Sequence, residues 1–161
     1  MELTDRNRYD APLDAVWAML TDPAFRDDVC RATGASSWDV HIGVDDGGGT
    51  VSVRRVLPAE VSDVVRSLVG ETVTIVQEET WGPPEPNGAR SADVLLRVDG
   101  QPVAMRGTTR LSPAGAGAVL ETVGDLEVRI PLVGGKLAKE LGAAVTAAFT
   151  KEHEVRQRHL A

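Results

Sequence analysis

Hydrophobic and polar residues alternate along most of the middle of the chain. The alternation is clearest from Trp38 to Val44, and a period of two is typical of a strand with one dry face. Turn signals rich in Gly, Pro and Asp separate the runs, so successive strands should pair antiparallel. The pattern therefore predicts an antiparallel sheet of about seven strands. The predicted strands cover residues 3–9, 38–44, 51–57, 73–81, 92–98, 103–111 and 120–130.

Helical spacing replaces the alternation near both ends of the chain. Pro12 and Pro23 each stand where a first helical residue is favoured, ahead of apolar residues that share one face. A third helix starts near Gly135, runs almost to the end, and would span roughly 36 Å over ~24 residues. Its far end, residues 151–159, is so polar that we expect it to extend past the sheet into water.

Residues 58–70 interrupt the series of strands. Val61, Val64, Val65 and Leu68 follow the spacing i, i+3, i+4, i+7, which is a helical face. An ordinary hairpin needs only about two to five residues at such a place. We interpret the segment as a short helix that closes one end of the sheet, either as a fixed cover or as a mobile lid.

These elements predict one α+β domain over residues 1–161. Its order is β-α-α-β6-α, with a curved antiparallel sheet gripping the long C-terminal helix. That helix presents small residues to the sheet, and the whole chain has only six aromatic residues, namely three Trp, two Phe and one Tyr. Either the sheet closes tightly on the helix or an apolar void remains that invites a ligand. We expect the void.

Three polar residues fall on the predicted inner face of two consecutive strands. Arg55 shares its parity with Val51 and Val53, and Gln77 and Glu79 share theirs with the apolar residues of the next strand. A buried charge is costly unless it is paired. The sequence leaves three hypotheses: an Arg55–Glu79 ion pair near the sheet rim, an Arg55 that orients a ligand carboxylate or hydroxyl, or a Glu79 that acts as a general acid or base.

The predicted ligand site combines these polar residues with the apolar inner face and the segment 58–70, which would gate it. The candidate ligand-binding residues are Trp38, Arg55, Val61, Val65, Leu68, Ile75, Gln77, Glu79, Trp81, Val94, Leu96, Met105, Leu126, Leu141 and Val145.

Net charge narrows the range of partners. The chain carries a formal charge of −7 with a pI near 4.9, which disfavours nucleic acid and a basic membrane anchor. No apolar run approaches the roughly 20 residues that cross a bilayer, and the first residues lack the apolar core of a signal peptide. One cysteine fits a reducing compartment. We expect a cytoplasmic monomer or homodimer whose partner is a small apolar molecule, without membrane insertion.

Residues suited to metal binding or nucleophilic chemistry do not cluster along the sequence. His41, His153 and His159 show no metal-ligand spacing, and we expect all three on the solvated surface. Cys30 has no histidine nearby in sequence and is interpreted as a packed thiol. We therefore predict no metal, no cofactor and no catalytic residue, and an enzyme is the less favoured interpretation.

Several segments resemble a known superfamily. Residues 9–17, YDAPLDAVW, look like the strand-to-helix entry of START-like proteins, also called helix-grip, SRPBCC or Bet v 1-like. Within that superfamily the chain resembles an actinobacterial family of unknown function. The resemblance is carried further by residues 21–26 (TDPAFR), 55–59 (RVLPA), 79–83 (ETWGP) and 130–136 (IPLVGGK).

The resemblance covers essentially the whole chain and implies a hydrophobic ligand-binding cavity. Members bind lipids, sterols or polyketides, cyclise polyketides, or act as chaperone cofactors. It therefore implies binding or carriage of an apolar molecule as the leading function. A polyketide cyclase or dehydratase and a chaperone-cofactor-like interaction module are the alternatives.

Overall fold

The computed structural model describes all 161 residues and contains seven strands and four helices. The strands are β1 (Glu2–Tyr9), β2 (Ser37–Asp45), β3 (Gly48–Pro58), β4 (Thr72–Trp81), β5 (Arg90–Val98), β6 (Val103–Ala114) and β7 (Gly117–Val128). The helices are α1 (Leu13–Leu20), α2 (Pro23–Ala32), α3 (Asp63–Val69) and α4 (Gly134–Leu160).

All seven strands form one antiparallel sheet in the order β1-β7-β6-β5-β4-β3-β2. β2 to β7 form a meander. β1 is the edge strand next to β7 and pairs with it from Glu2–Asp125 to Tyr9–Ala118. The predicted fold class, a curved antiparallel sheet with the order β-α-α-β6-α and a long C-terminal helix, is confirmed. None of the four helices is both long enough and apolar enough to cross a membrane.

The two short helices between β1 and β2 complete the main hydrophobic core. The Asp22 side chain caps α2 by accepting a hydrogen bond from the Ala24 backbone N–H at 2.9 Å, and Pro23 begins the helix as predicted. α2 packs against β2 and α4, while α1 packs against α4 and the β6–β7 side of the sheet. The core between them is completely buried at Val16, Phe25 and Leu111.

The C-terminal helix α4 has two different halves. Near its end Glu152, Val155 and Arg156 are buried beneath α1 and α2. The prediction that residues 151–159 extend into water is therefore wrong: Glu152, Val155 and Arg156 follow i, i+3, i+4 and form an inward stripe within a polar sequence. In the first half, alanines facing the sheet remain accessible because the helix stands away from the strands there.

Segment 58–70 contains the predicted short helix, α3. Ser62 lies at its N-cap and Gly70 ends it with a φ of 95°. The Ser62 hydroxyl and backbone N–H both donate to Oε2 of Glu140 in α4, at 2.9 and 3.2 Å. These bonds connect α3 to the part of α4 that stands away from the sheet.

Candidate ligand-binding cavity

A cavity of about 740 Å³ lies between the sheet and the first half of α4. Of the 38 residues that line it, 24 are hydrophobic. Strands β3 to β7, the segment before α3, and α4 provide the walls. The volume lies within the range of about 300–1,000 Å³ that is usual for small-molecule sites.

The space exists because short side chains face the sheet from α4. Ala144 and Ala148 line the cavity from the helix, opposite Leu96, Met105 and Leu126 on the strands. A methyl group reaches too little distance to fill the gap between a helix and a curved sheet, so the void predicted from the small residues is present.

Most of the predicted site residues lie on the cavity wall. They are Arg55, Val61, Ile75, Gln77, Glu79, Trp81, Val94, Leu96, Met105, Leu126, Leu141 and Val145. Their shared location follows from strand parity and from the helical spacing of α4, both of which are local properties of the sequence.

Three predicted residues lie elsewhere. Trp38 packs into the main core because α2 covers the edge strand β2, and its indole N–H donates to Asp27 Oδ1 at 2.9 Å. Val65 is buried on the inner side of α3 but does not reach the cavity, and Leu68 is 44% exposed. The structure thus corrects the predicted position of Trp38 in the lining, and of the three proposed gate residues it places only Val61 on the wall.

Glu79 is the most heavily hydrogen-bonded group of the cavity. Arg26 donates to both of its carboxylate oxygens, at 2.9 and 3.0 Å. The Gln77 amide donates to Oε1 at 2.7 Å, and the Trp81 indole donates to Oε2 at 2.9 Å. The predicted Arg55–Glu79 ion pair is therefore wrong, because Arg26 from α2 is the partner. Four N–H donors leave Glu79 poorly placed to act as a general acid or base.

Sequence reasoning missed Arg26, although a signal was present. Arg26 lies three residues before Val29 and four before Cys30, on the stripe that α2 buries. It is 3% exposed, and its Nε also donates to the Leu20 carbonyl at 2.9 Å. Its distance from Glu79 in sequence is 53 residues, so only the packing of α2 brings the two together.

Arg55 lies on the cavity wall without a carboxylate partner. It pairs with Ile75 across β3 and β4, whereas Glu79 pairs with Val51, four residues further along β3. The Arg55 Nη2 donates to Gln77 Oε1 at 3.3 Å, but its buried Nε has no hydrogen-bond partner. Only 7% of Arg55 is exposed.

A second buried cluster, also missed from sequence, joins α4 to β1. Arg156 Nη2 donates to Glu152 Oε1 at 2.7 Å, and Nη1 contacts Asp5 Oδ2 and the Tyr9 hydroxyl, both at 3.4 Å. Burial tends to raise the pKa of Glu152, but the charges of Arg156, Arg26 and Arg55 outweigh it and the pKa is lowered. Burial raises the pKa of Tyr9 against the opposing effect of Arg156.

The remaining candidate groups lie off the cavity wall. Burial raises the pKa of the Cys30 thiol, partly offset by the nearby Arg55 charge, so Cys30 is the packed thiol that was predicted. His41 is exposed as expected. His159 is also exposed and contacts Asp28 at 2.7 Å, whereas His153 is half-buried and bonds to the Tyr9 hydroxyl at 2.9 Å. No group of three or more His, Cys, Asp or Glu is arranged to hold a metal ion.

The fold is shared with solved structures of two kinds. The ZhuI aromatase/cyclase of Streptomyces sp. R1128 matches with a TM-score of 0.64 and 16% identity, over 99% of this chain and 93% of its own. The STAR-related lipid transfer protein of Xanthomonas axonopodis matches with a TM-score of 0.55 and 18% identity, over 94% and 85%. These two neighbours are an aromatase/cyclase and a lipid transfer protein, and the protein has the START-like, helix-grip fold.

Sequence comparison gives the particular family. The chain belongs to the family described as "Protein of unknown function (DUF2505)", whose sequence profile matches residues 4–160. An uncharacterised protein of Mycobacterium tuberculosis is 30% identical over 124 residues, covering 73% of this chain and 71% of the relative. The predicted resemblance to the START-like superfamily, and within it to an actinobacterial family, is confirmed.

Proposed function

We propose that this protein binds and carries a small apolar molecule in the cavity between the sheet and α4. The observation that supports this most directly is the cavity itself, with about 740 Å³ and a mostly hydrophobic lining. Burial of apolar ligand surface supplies about 25 cal/mol per Å², from which the cost of immobilising the ligand is subtracted. The lipid-transfer and cyclase neighbours support the same class of ligand.

Binding is favoured over catalysis by the state of the polar groups. A cyclase or dehydratase needs a group in the cavity that can give or take a proton. The two buried carboxylates on the wall are both engaged, Glu79 by four donors and Glu152 by Arg156, and Tyr9 lies behind the wall beside Arg156. The location in the cytoplasm and the monomeric or homodimeric state remain predictions.

A neutral fluorescent probe tests the proposal. N-phenylnaphthylamine should bind the protein with a rise in fluorescence. Ala148→Phe places a ring in the space beside the helix and should weaken that binding at least about tenfold, or about 1.4 kcal/mol. Thr146→Phe is the matched control, because Thr146 is exposed on the same helix and does not line the cavity.

The two variants separate cavity binding from surface adsorption. Loss of binding in Ala148→Phe with retention in Thr146→Phe is the expected result. Equal binding by both variants, or no binding by the unmodified protein, would remove the basis for the proposed function. Circular dichroism at the temperature of the assay shows that each variant is folded.

A further inference from the structure

Arg55 is a buried cation without an ion-pair partner in the protein. No carboxylate oxygen lies within 4.0 Å of its guanidinium, whereas Arg26 and Arg156 each have such a partner. Its single hydrogen bond goes to the neutral amide oxygen of Gln77, and its Nε has none. A buried charge left this way costs free energy, because water that would solvate it has been removed.

Charges in the surrounding network support the same conclusion. Among fully buried residues, the three guanidinium groups of Arg26, Arg55 and Arg156 face only two carboxylates, Glu79 and Glu152. Asp5 is a partly exposed third carboxylate, but it contacts Arg156 at 3.4 Å and lies on β1, at the far edge of the sheet from β3. Of the three guanidinium groups, Arg55 is therefore the one without a carboxylate at ion-pair distance, and it lines the cavity; Glu152, which also lines the cavity, acts on its charge from further away.

We propose that the cavity's occupant is an amphipathic monocarboxylate whose carboxylate binds Arg55; this rests on the proposed function. The carboxylate accepts from the guanidinium N–H groups that face the cavity, in the bidentate geometry that arginine favours. A single negative charge matches a single guanidinium that has no carboxylate at ion-pair distance.

The apolar part of such a molecule has a defined place. Beside Arg55, the wall continues with Ile75 and Leu96 on the sheet and with Leu141 and Val145 on α4. A hydrocarbon chain attached to the carboxylate would lie along these side chains. The proposed ligand class is thus fatty-acid-like, with a polar head at β3 and an apolar body under α4.

Dodecanoate and dodecanol are the matched probes, since they differ only in the head group. Isothermal titration below the micelle concentration, at neutral pH, gives both affinities. The unmodified protein should bind dodecanoate about ten- to a hundredfold more tightly than dodecanol, as expected for hydrogen bonds to a charged group. Arg55→Met should abolish this preference while retaining dodecanol binding, because replacing an unpaired buried charge by an apolar side chain is tolerated.

Arg54→Met is the control. Arg54 is the next residue of β3, has a half-exposed side chain and pairs with Asp99 on the opposite face at 2.6 Å. It should keep the preference for dodecanoate. Arg55→Lys keeps the positive charge but loses the planar guanidinium that donates two parallel hydrogen bonds. An intermediate preference for dodecanoate over dodecanol is therefore expected.

The outcomes separate this inference from the proposed function. Equal affinity of the unmodified protein for both probes would overturn the carboxylate assignment and leave apolar binding intact. If neither dodecanoate nor dodecanol binds, both the carboxylate assignment and the proposed function are overturned. A preference that persists in Arg55→Met would show that another group receives the carboxylate. If Arg55→Met does not fold, the probe comparison in the unmodified protein and in Arg55→Lys decides the matter.

Discussion

Removal of Arg26 should be one of the most damaging single changes to a charged side chain in this protein. Arg26→Met deletes the two hydrogen bonds to Glu79 and the one to the Leu20 carbonyl, all at 2.9–3.0 Å. Glu79, which is 7% exposed, would be left with only the Gln77 and Trp81 donors. Breaking a buried pair from one side costs about 3–5 kcal/mol. At about 2–4 °C per kcal/mol, the melting temperature should fall by about 10 °C.

A double-mutant cycle gives the coupling free energy between Arg26 and Glu79. Glu79→Gln removes the negative charge but keeps an acceptor for Gln77 or Trp81. The double variant Arg26→Met/Glu79→Gln should therefore be more stable than the sum of the two single changes implies, by about 2–3 kcal/mol. Urea unfolding followed by tryptophan fluorescence measures all four proteins, provided that the slope with denaturant stays constant.

An exposed ion pair provides the control for this cycle. Arg129 is 77% exposed and contacts Glu127 at 2.9 Å, so Arg129→Met should cost less than about 1 kcal/mol. A loss below about 1 kcal/mol for Arg26→Met, or a coupling near zero, would refute the account of the buried pair. In that case Glu79 would be stabilised by donors other than Arg26.

Three further outcomes follow from the structure. Glu152→Gln should lower the free energy of unfolding near neutral pH, because the lowered folded-state pKa of Glu152 contributes stability while the carboxyl is ionised. The difference in unfolding free energy between the two proteins should shrink as pH falls below 4.5. A difference that grew in acid, measured by urea titrations across pH, would contradict this. Gly107→Ala should cost about 1–3 kcal/mol, since its Cβ would collide with the Val123 carbonyl, and an unchanged thermal melt would count against that. Ser62→Ala removes the hydroxyl bond to Glu140 and should speed hydrogen exchange in residues 58–70; unaltered exchange would mean that the bond does not hold this segment.

The strands and helices were predictable because their signals are local. Alternation located β2 to β7, and Pro23 located the start of α2. Val61 and Leu68 revealed a helix where a hairpin turn would normally be. Strand parity also placed Arg55 and the polar residues of β4 on the inner face. Each of these inferences needs only the geometry of one element.

The partners within the site were not predictable in the same way. Arg26 reaches Glu79 only because α2 folds over the edge of the sheet, and that packing also takes Trp38 out of the cavity lining. Likewise, Glu152 and Arg156 appear in a polar stretch whose burial depends on α1 and α2. Pairing across long sequence separations is a tertiary property, and the alternation of residues contains no information on it.

Intermolecular nuclear Overhauser effects test the central claim most directly. With methyl-labelled protein and unlabelled dodecanol, the account predicts contacts from the alkyl chain to the methyl groups of Ala148, Leu141 and Met105, which line the cavity from opposite sides. Contacts restricted to exposed methyl groups such as those of Val44, or no contacts at saturating dodecanol, would contradict it.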